Sequence, residues 1–184
     1  MAAVSIRDHL NVAFRLAMRD ASAVKEVHNT QAAFWFSFQA AVISLPFLLV
    51  TVFVGADRDI GLLELIAEAT IYAVSWLLFP VVMLEIAPAI DRAQYFYRYI
   101  AASNWSSVVE DAALAAILML RTVGVIPAGL GGVLFFGAVI WVFSYQFFVA
   151  RHALQIDQGT AALIIGVRLL LVLGLFFAKS LLGG

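Results

Sequence analysis

The chain has no cysteine and very little charge. Of its 184 residues only 12% are Asp, Glu, Lys or Arg, against roughly 25% in an ordinary soluble domain. The missing cysteine excludes disulfides, thiolate metal sites and iron–sulfur clusters. A net charge of −1 excludes bulk attraction to nucleic acid. There is no His-Glu-x-x-His zinc motif, and no Gly-rich phosphate loop followed by Lys-Ser/Thr. No Gly-x-Ser-x-Gly pattern accompanies a buried base. His9, His28 and His152 all fall outside the long apolar runs, so two axial histidines for a membrane haem are missing. No cofactor or metal is therefore expected.

What is present is apolar. Hydrophobic residues make up 64% of the chain, and the mean hydropathy is +1.01. A bilayer core about 30 Å thick takes roughly 20 mostly apolar residues per helical crossing. The chain has room for about five crossings and little else. Stretches such as Leu45–Val54 and Leu169–Ala178 are apolar on every side, which does not fit the alternating strands of a membrane barrel. The expected fold is all-α, a polytopic transmembrane helical bundle of about five helices behind an N-terminal amphipathic helix. Residues 1–32 form the amphipathic segment and 33–184 the transmembrane domain.

In the first segment, Ser5 and Asp8 resemble a capping box. Ile6, Leu10, Ala13, Phe14 and Ala17 then follow helical spacing, and Arg7, Arg15 and Arg19 lie off that stripe, where they can meet lipid headgroups. The charged residues among the first 30 leave no continuous apolar core for a signal peptide. The first crossing is expected over Phe34–Val54, opened by aromatics at an interface belt and kinked at Pro46. A polar link, Gly55–Gly61, leads to Leu62–Ile90, with the span over Thr70–Pro88 and a second kink at Pro80. The fourth crossing covers Ile126–Ala150 and the fifth Thr160–Leu182. Gly124, Ala128 and Gly132 place a small residue at every fourth position, a pattern that lets a neighbouring helix come close.

The third segment, Tyr95–Leu120, is helical in pattern but carries Ser103, Asn104, Ser106, Ser107, Glu110 and Asp111. A helix bathed in lipid cannot hold these cheaply. It is either shielded by its neighbours or borders a watery cavity. Arg168 lies well inside the fifth apolar run. Glu110, Asp111 and Arg168 therefore form the sharpest candidate site. They serve either as a proton, ion or ligand site or as a salt bridge between the third and fifth crossings.

Secondary candidates are Glu85, with Arg92 and Arg98 as its expected partners, and Asn104. Residues 91–99 read as an aromatic-basic interface segment for anionic lipid or a partner protein. Glu64 and Glu68, one turn apart, are expected in water at the outer interface, with Lys179 snorkelling at a helix end. Arg151, His152 and Asp157 fall in the fourth link. With five crossings, Arg7, Arg15, Arg19, Lys25, Arg92, Arg98 and Arg151 share one side, and Arg58, Arg121 and Lys179 the other. The richer side faces the cytoplasm, which puts the N-terminus in the cytoplasm and the C-terminus outside, for a protein of a bacterial inner membrane.

The order of features is similar to a known class. Phe34-Trp35-Phe36-Ser37-Phe38, then Phe79-Pro80, the run Tyr97 to Trp105, and Tyr145-Gln146-Phe147-Phe148-Val149-Ala150-Arg151 resemble uncharacterised five-helix inner-membrane proteins of alphaproteobacteria. More distantly they resemble the Yip (Ypt-interacting protein) domain superfamily, over most of residues 10–180. Eukaryotic members of that superfamily act in vesicle trafficking and associate with Rab-type GTPases. The resemblance implies a role by analogy of fold, and it brings no catalytic residues. Two readings follow. One is a non-enzymatic scaffold or accessory subunit that organises membrane proteins or lipids, with a protein partner or as a homo-oligomer. The other is a small oligomeric transporter or channel that uses Glu110, Asp111 and Arg168. A lipid-modifying enzyme is a third class, with no acid–base pair or nucleophile to carry it.

Overall fold

In a computed structural model, residues 5–55 and 61–182 are described. Among them there are seven α-helices and no strand. Helix α1 spans Ile6–Ala17, α2 Gln31–Ser37, α3 Gln39–Gly55, α4 Leu62–Ala89, α5 Phe96–Thr122, α6 Ala128–Leu154 and α7 Gln158–Leu182. Short 3-10 turns cover Ala21–Glu26 and Ala93–Tyr95. Most of the expected polar link, with Arg58 of the charge comparison, lies outside the described residues.

Four stretches are long and apolar enough to cross a membrane by length and composition: Gln31–Val54 (which joins α2 and α3), Leu62–Ala89, Gly129–Leu154 and Gln158–Ser180. The expected third crossing, α5, is not among them, because its polar and acidic residues lower its hydropathy. It is nonetheless a single helix of 27 residues. It packs along α3 and α6 and is flanked by α1 and α2. Helices α3 and α4 continue through Pro46 and Pro80. Each proline removes one backbone donor without ending its helix.

Local chemistry explains the helix ends. The Ser5 hydroxyl accepts from the Asp8 N–H at 3.3 Å, and the Asp8 carboxylate accepts from the Ser5 N–H at 3.0 Å. That reciprocal capping box satisfies two otherwise unpaired donors at the start of α1. These bonds also hold the Asp8 carboxyl below its usual range. Asp157 plays the same part for α7, accepting from the Thr160 hydroxyl at 2.6 Å and its N–H at 3.0 Å. Gly124, with φ of 77°, closes α5 in the left-handed region that glycine enters without strain.

Packing is tight at one end of the bundle and open at the other. Leu16, Met83, Tyr99, Ile100, Tyr145, Val149 and Leu154 are fully buried, where α1, the end of α4, the start of α5 and the end of α6 converge. At the far end Leu62 and Leu63 of α4, Val133 and Phe136 of α6, and Phe176 and Phe177 of α7 are exposed. Without a hydrophobic drive between helices in lipid, close contact and interhelical hydrogen bonds hold such an assembly. Tyr72 supplies one, donating to the Ala41 carbonyl at 2.6 Å. Tyr145 supplies another, to the Ala13 carbonyl.

Helix α1 packs on the rest of the protein through buried residues that share only Ala13 with the apolar stripe. His9, Val12, Ala13 and Leu16 are buried, while Phe14 is 59% exposed and Ile6 40%. The reason is that α1 lies on α5, whose Trp105 offers an aromatic surface to His9. Two of the arginines expected at headgroups serve the protein instead. Arg15 pairs with Asp20 at 2.7 Å and with Glu26 at 2.5 Å. Arg19 donates to the carbonyl and hydroxyl of Ser144, both at 2.7 Å.

Candidate functional site

Helix α5 carries Ser103, Ser107 and Asp111 at four-residue intervals, which puts them one above another on one face. All three line a cavity of about 450 Å³ between α3, α4, α5, α6 and α7. Glu110, Asn104, Gln146 and Arg168 also line it, among apolar walls that include Phe47, Trp76, Phe79 and Phe143. The structure thus brings Glu110, Asp111 and Arg168 to a single space. Its size lies in the range typical of small-molecule sites, roughly 300–1,000 Å³.

The charges do not touch. The Arg168 guanidinium donates through Nη1 to the Ser103 hydroxyl at 2.7 Å and to Gln146 Oε1 at 2.8 Å. Through Nη2 it makes only a long contact of 3.4 Å to the Ser107 hydroxyl. The other end of the Gln146 amide donates to Glu110 Oε1 at 2.6 Å. Gln146 therefore stands between the cation and the carboxylate, each amide pole matching the charge it faces. Among the described residues the ion pairs are Arg15–Asp20, Arg15–Glu26 and Lys179–Glu68. The direct bridge from α5 to α7 expected as one alternative is replaced by this relay.

Arg168 is also held from α4, its guanidinium lying 4.8 Å from the centre of the Phe79 ring, a cation–π contact. Ser103 closes the network by donating to Gln146 Oε1 at 3.0 Å. Arg168 is eleven residues from Lys179, and Phe79 is eleven from Glu68. Both cross-pairs form, so α4 and α7 run antiparallel in one continuous register. Asn104 does not join Arg168. It donates to the Ser37 hydroxyl at 2.9 Å and ties α5 to α2.

The other candidates disperse. Arg98 donates to the Ala153 carbonyl from Nε at 3.0 Å and Nη2 at 2.6 Å, and it stacks on Tyr95 at 4.7 Å. Arg92 reaches the Gln155 carbonyl at 3.3 Å. Both therefore cap the C-terminal end of α6, where a cation offsets the unpaired carbonyls and the helix dipole. Neither forms the expected ion pair with Glu85, which is exposed on α4. His152 turns back to the Phe148 carbonyl at 2.8 Å, away from Asp157.

The small-residue pattern is also redistributed. Gly124 sits in the turn before α6, and the Ala128 side chain lies outside the described residues. A side-chain carbon added at Gly132 would meet nothing within 4 Å, so among the described residues no neighbouring helix approaches there.

Gln146 is the functional candidate that charge-based reading passes over. Its signal was available, since an amide inside an apolar run costs desolvation unless it is paired. Comparison with known proteins finds no family model, no curated protein and no solved structure that matches the chain.

Proposed function

We propose that this chain is a multi-pass membrane protein that binds a small polar solute in its central cavity and gives it a path across the bilayer. The supporting observation is that Arg168 of α7 and Glu110 and Asp111 of α5 line one cavity without pairing directly. A charge near mid-membrane costs at least a few kcal/mol, so it is kept for a partner or a task. A dry structural bridge would bring the opposite charges together. Here Gln146 holds Arg168 and Glu110 apart, and all three charged groups line the same cavity.

In this reading α5 is a fifth crossing. It is as long as α6, and short turns join it to α4 and α6. Its neighbours shelter it from lipid. The N-terminus lies in the cytoplasm of a bacterial cell, with α1 at the interface and Ile6, Phe14 and Met18 toward lipid.

The test exploits the absence of native cysteine. Ser107→Cys is introduced in the full chain, reconstituted in liposomes, and exposed to a membrane-impermeant thiol reagent. Labelling is expected from at least one side. Protection from both sides, with the protein folded, overturns the reading.

A scaffold or accessory-subunit reading draws on the open face of α6, where Gly129 and Gly132 lie beside exposed Val133 and Phe136. A partner helix, or a second copy, can approach closely there. Native mass spectrometry after gentle extraction tests it. A stoichiometric partner or a homo-oligomer supports it, and a clean monomer counts against it.

A further inference from the structure

We infer that the cavity takes a small zwitterion with an apolar body, its carboxylate held by Arg168 and Ser107 and its ammonium by Asp111. The inference rests on the solute-site reading above and names the chemistry of the solute.

The anion end follows from the way Arg168 is satisfied. Both protons of Nη1 have good acceptors in Ser103 and Gln146, whereas Nη2 has only the 3.4 Å contact to Ser107. All of these acceptors are neutral. Guanidinium stays protonated in proteins and favours a planar, two-pronged carboxylate partner. The Nη2 edge beside Ser107 is the part of the fork still open to one. Glu110 does not fill it: its Oε1 accepts from the Gln146 amide, and no ion pair joins it to Arg168 among the described residues.

The cation end follows from Asp111. It lies one helical turn beyond Ser107 on the cavity face of α5, an axial step of about 6 Å. The carboxylate and ammonium of an α-amino acid are borne by one carbon. With a hydrogen bond at each end they bridge a comparable distance. The walls between and around these groups are aromatic and aliphatic, with Trp76 and Phe47 among them, which suits an apolar side chain. A purely anionic solute would meet the repulsion of Glu110 and Asp111. A purely cationic one would meet Arg168 and leave it without an anion. Only a molecule carrying both signs answers both ends.

The experiment compares two matched triplets on the purified full chain by titration calorimetry. One triplet is L-phenylalanine, 3-phenylpropionate and 2-phenylethylamine. The other is L-leucine, 4-methylpentanoate and 3-methylbutylamine. The zwitterion of at least one triplet is expected to bind roughly tenfold or more tightly than both of its single-charge partners, since a desolvated charge contact contributes at least that much. Asp111→Asn should weaken the zwitterion and the amine while sparing the carboxylate, and Arg168→Gln should weaken the zwitterion and the carboxylate while sparing the amine. Should either variant fail to fold, the wild-type ranking still decides. A single-charge compound binding as well as the zwitterion, or no binding in either triplet, overturns the inference. In both cases labelling of Ser107→Cys leaves the broader solute-site reading standing, and protection of it removes that reading as well.

Discussion

The imidazole of His9 lies flat on the indole of Trp105, with ring centroids 5.0 Å apart and planes 2° from parallel. His9 is 6% exposed. Burial, with smaller repulsion from His28 and a partial offset from Asp8, holds its pKa below the ordinary 6.5. The neutral ring is therefore the folded form. Its contribution to stability is complete above pH 6.5, where the unfolded chain is also neutral, and is lost as pH falls through the lowered folded value. Thermal unfolding in detergent should show a decline on acidification from pH 7.5 that flattens in His9→Phe. An unchanged slope in that variant would overturn this account of His9.

Arg98, in the first turn of α5, should be more sensitive to substitution than Arg92 in the link before it. Arg98→Ala removes two hydrogen bonds to Ala153 and the stack on Tyr95. A cost of about 1.5–3 kcal/mol is expected, as for hydrogen bonds from a charged group. Arg98→Lys should recover little of it, because an ammonium cannot reproduce the fork and the stack together. Arg92→Ala, with a single 3.3 Å bond to Gln155, should cost clearly less. Denaturation midpoints of the three variants check the order.

The relay through Gln146 gives a coupling prediction. In a double-mutant cycle, Glu110→Ala and Arg168→Ala should couple in the wild-type chain. The coupling should fall toward zero in a Gln146→Leu background, where the amide no longer links them. Gln146→Leu alone should cost about 3–5 kcal/mol, since it strips a buried carboxylate of its donor. Persistence of the full coupling without Gln146 would mean that the two charges meet directly.

Lys179 and Glu68 form an ion pair, but the Lys179 side chain is 45% exposed. Lys179→Met should therefore cost no more than about 1 kcal/mol. A larger loss would show that this pair, rather than Arg168 on Phe79, holds the register of α4 against α7. Thermal unfolding decides between them.

The solvent and the all-helical class were legible from the scarcity of charge, because unpaired backbone groups in lipid force a helix or a closed barrel. Glu110, Asp111 and Arg168 were legible for the same reason, since each is expensive in an apolar run. Their mode of contact was not. It depends on α6 delivering Gln146 between α5 and α7, a matter of rotation about helix axes that spacing along one segment does not carry. Arg92 and Arg98 looked like headgroup residues because aromatic-basic runs are common at interfaces. The sequence has no mark to say that the end of α6 lies beside them. The contact of His9 with α5 was not legible, because hydrophobicity alone ranks Phe14 above His9, whereas the aromatic surface on α5 favours a flat ring.

The sheltered position of α5 also bears on how the protein is made. The residues that neutralise its polar face, Gln146 and Arg168, belong to α6 and α7, which are synthesised later. At the moment α5 is complete, its serines and two carboxylates have no cover on that side. In the five-crossing arrangement, a lone α5 released into lipid would bear the full cost of those groups. The favourable course is for α5 to wait at the insertion machinery and leave it as a hairpin with α6, with α7 sealing the assembly last. In that arrangement the settling of α5 depends on helices made after it, and a chain truncated before Gln146 would lack the cover for its polar face.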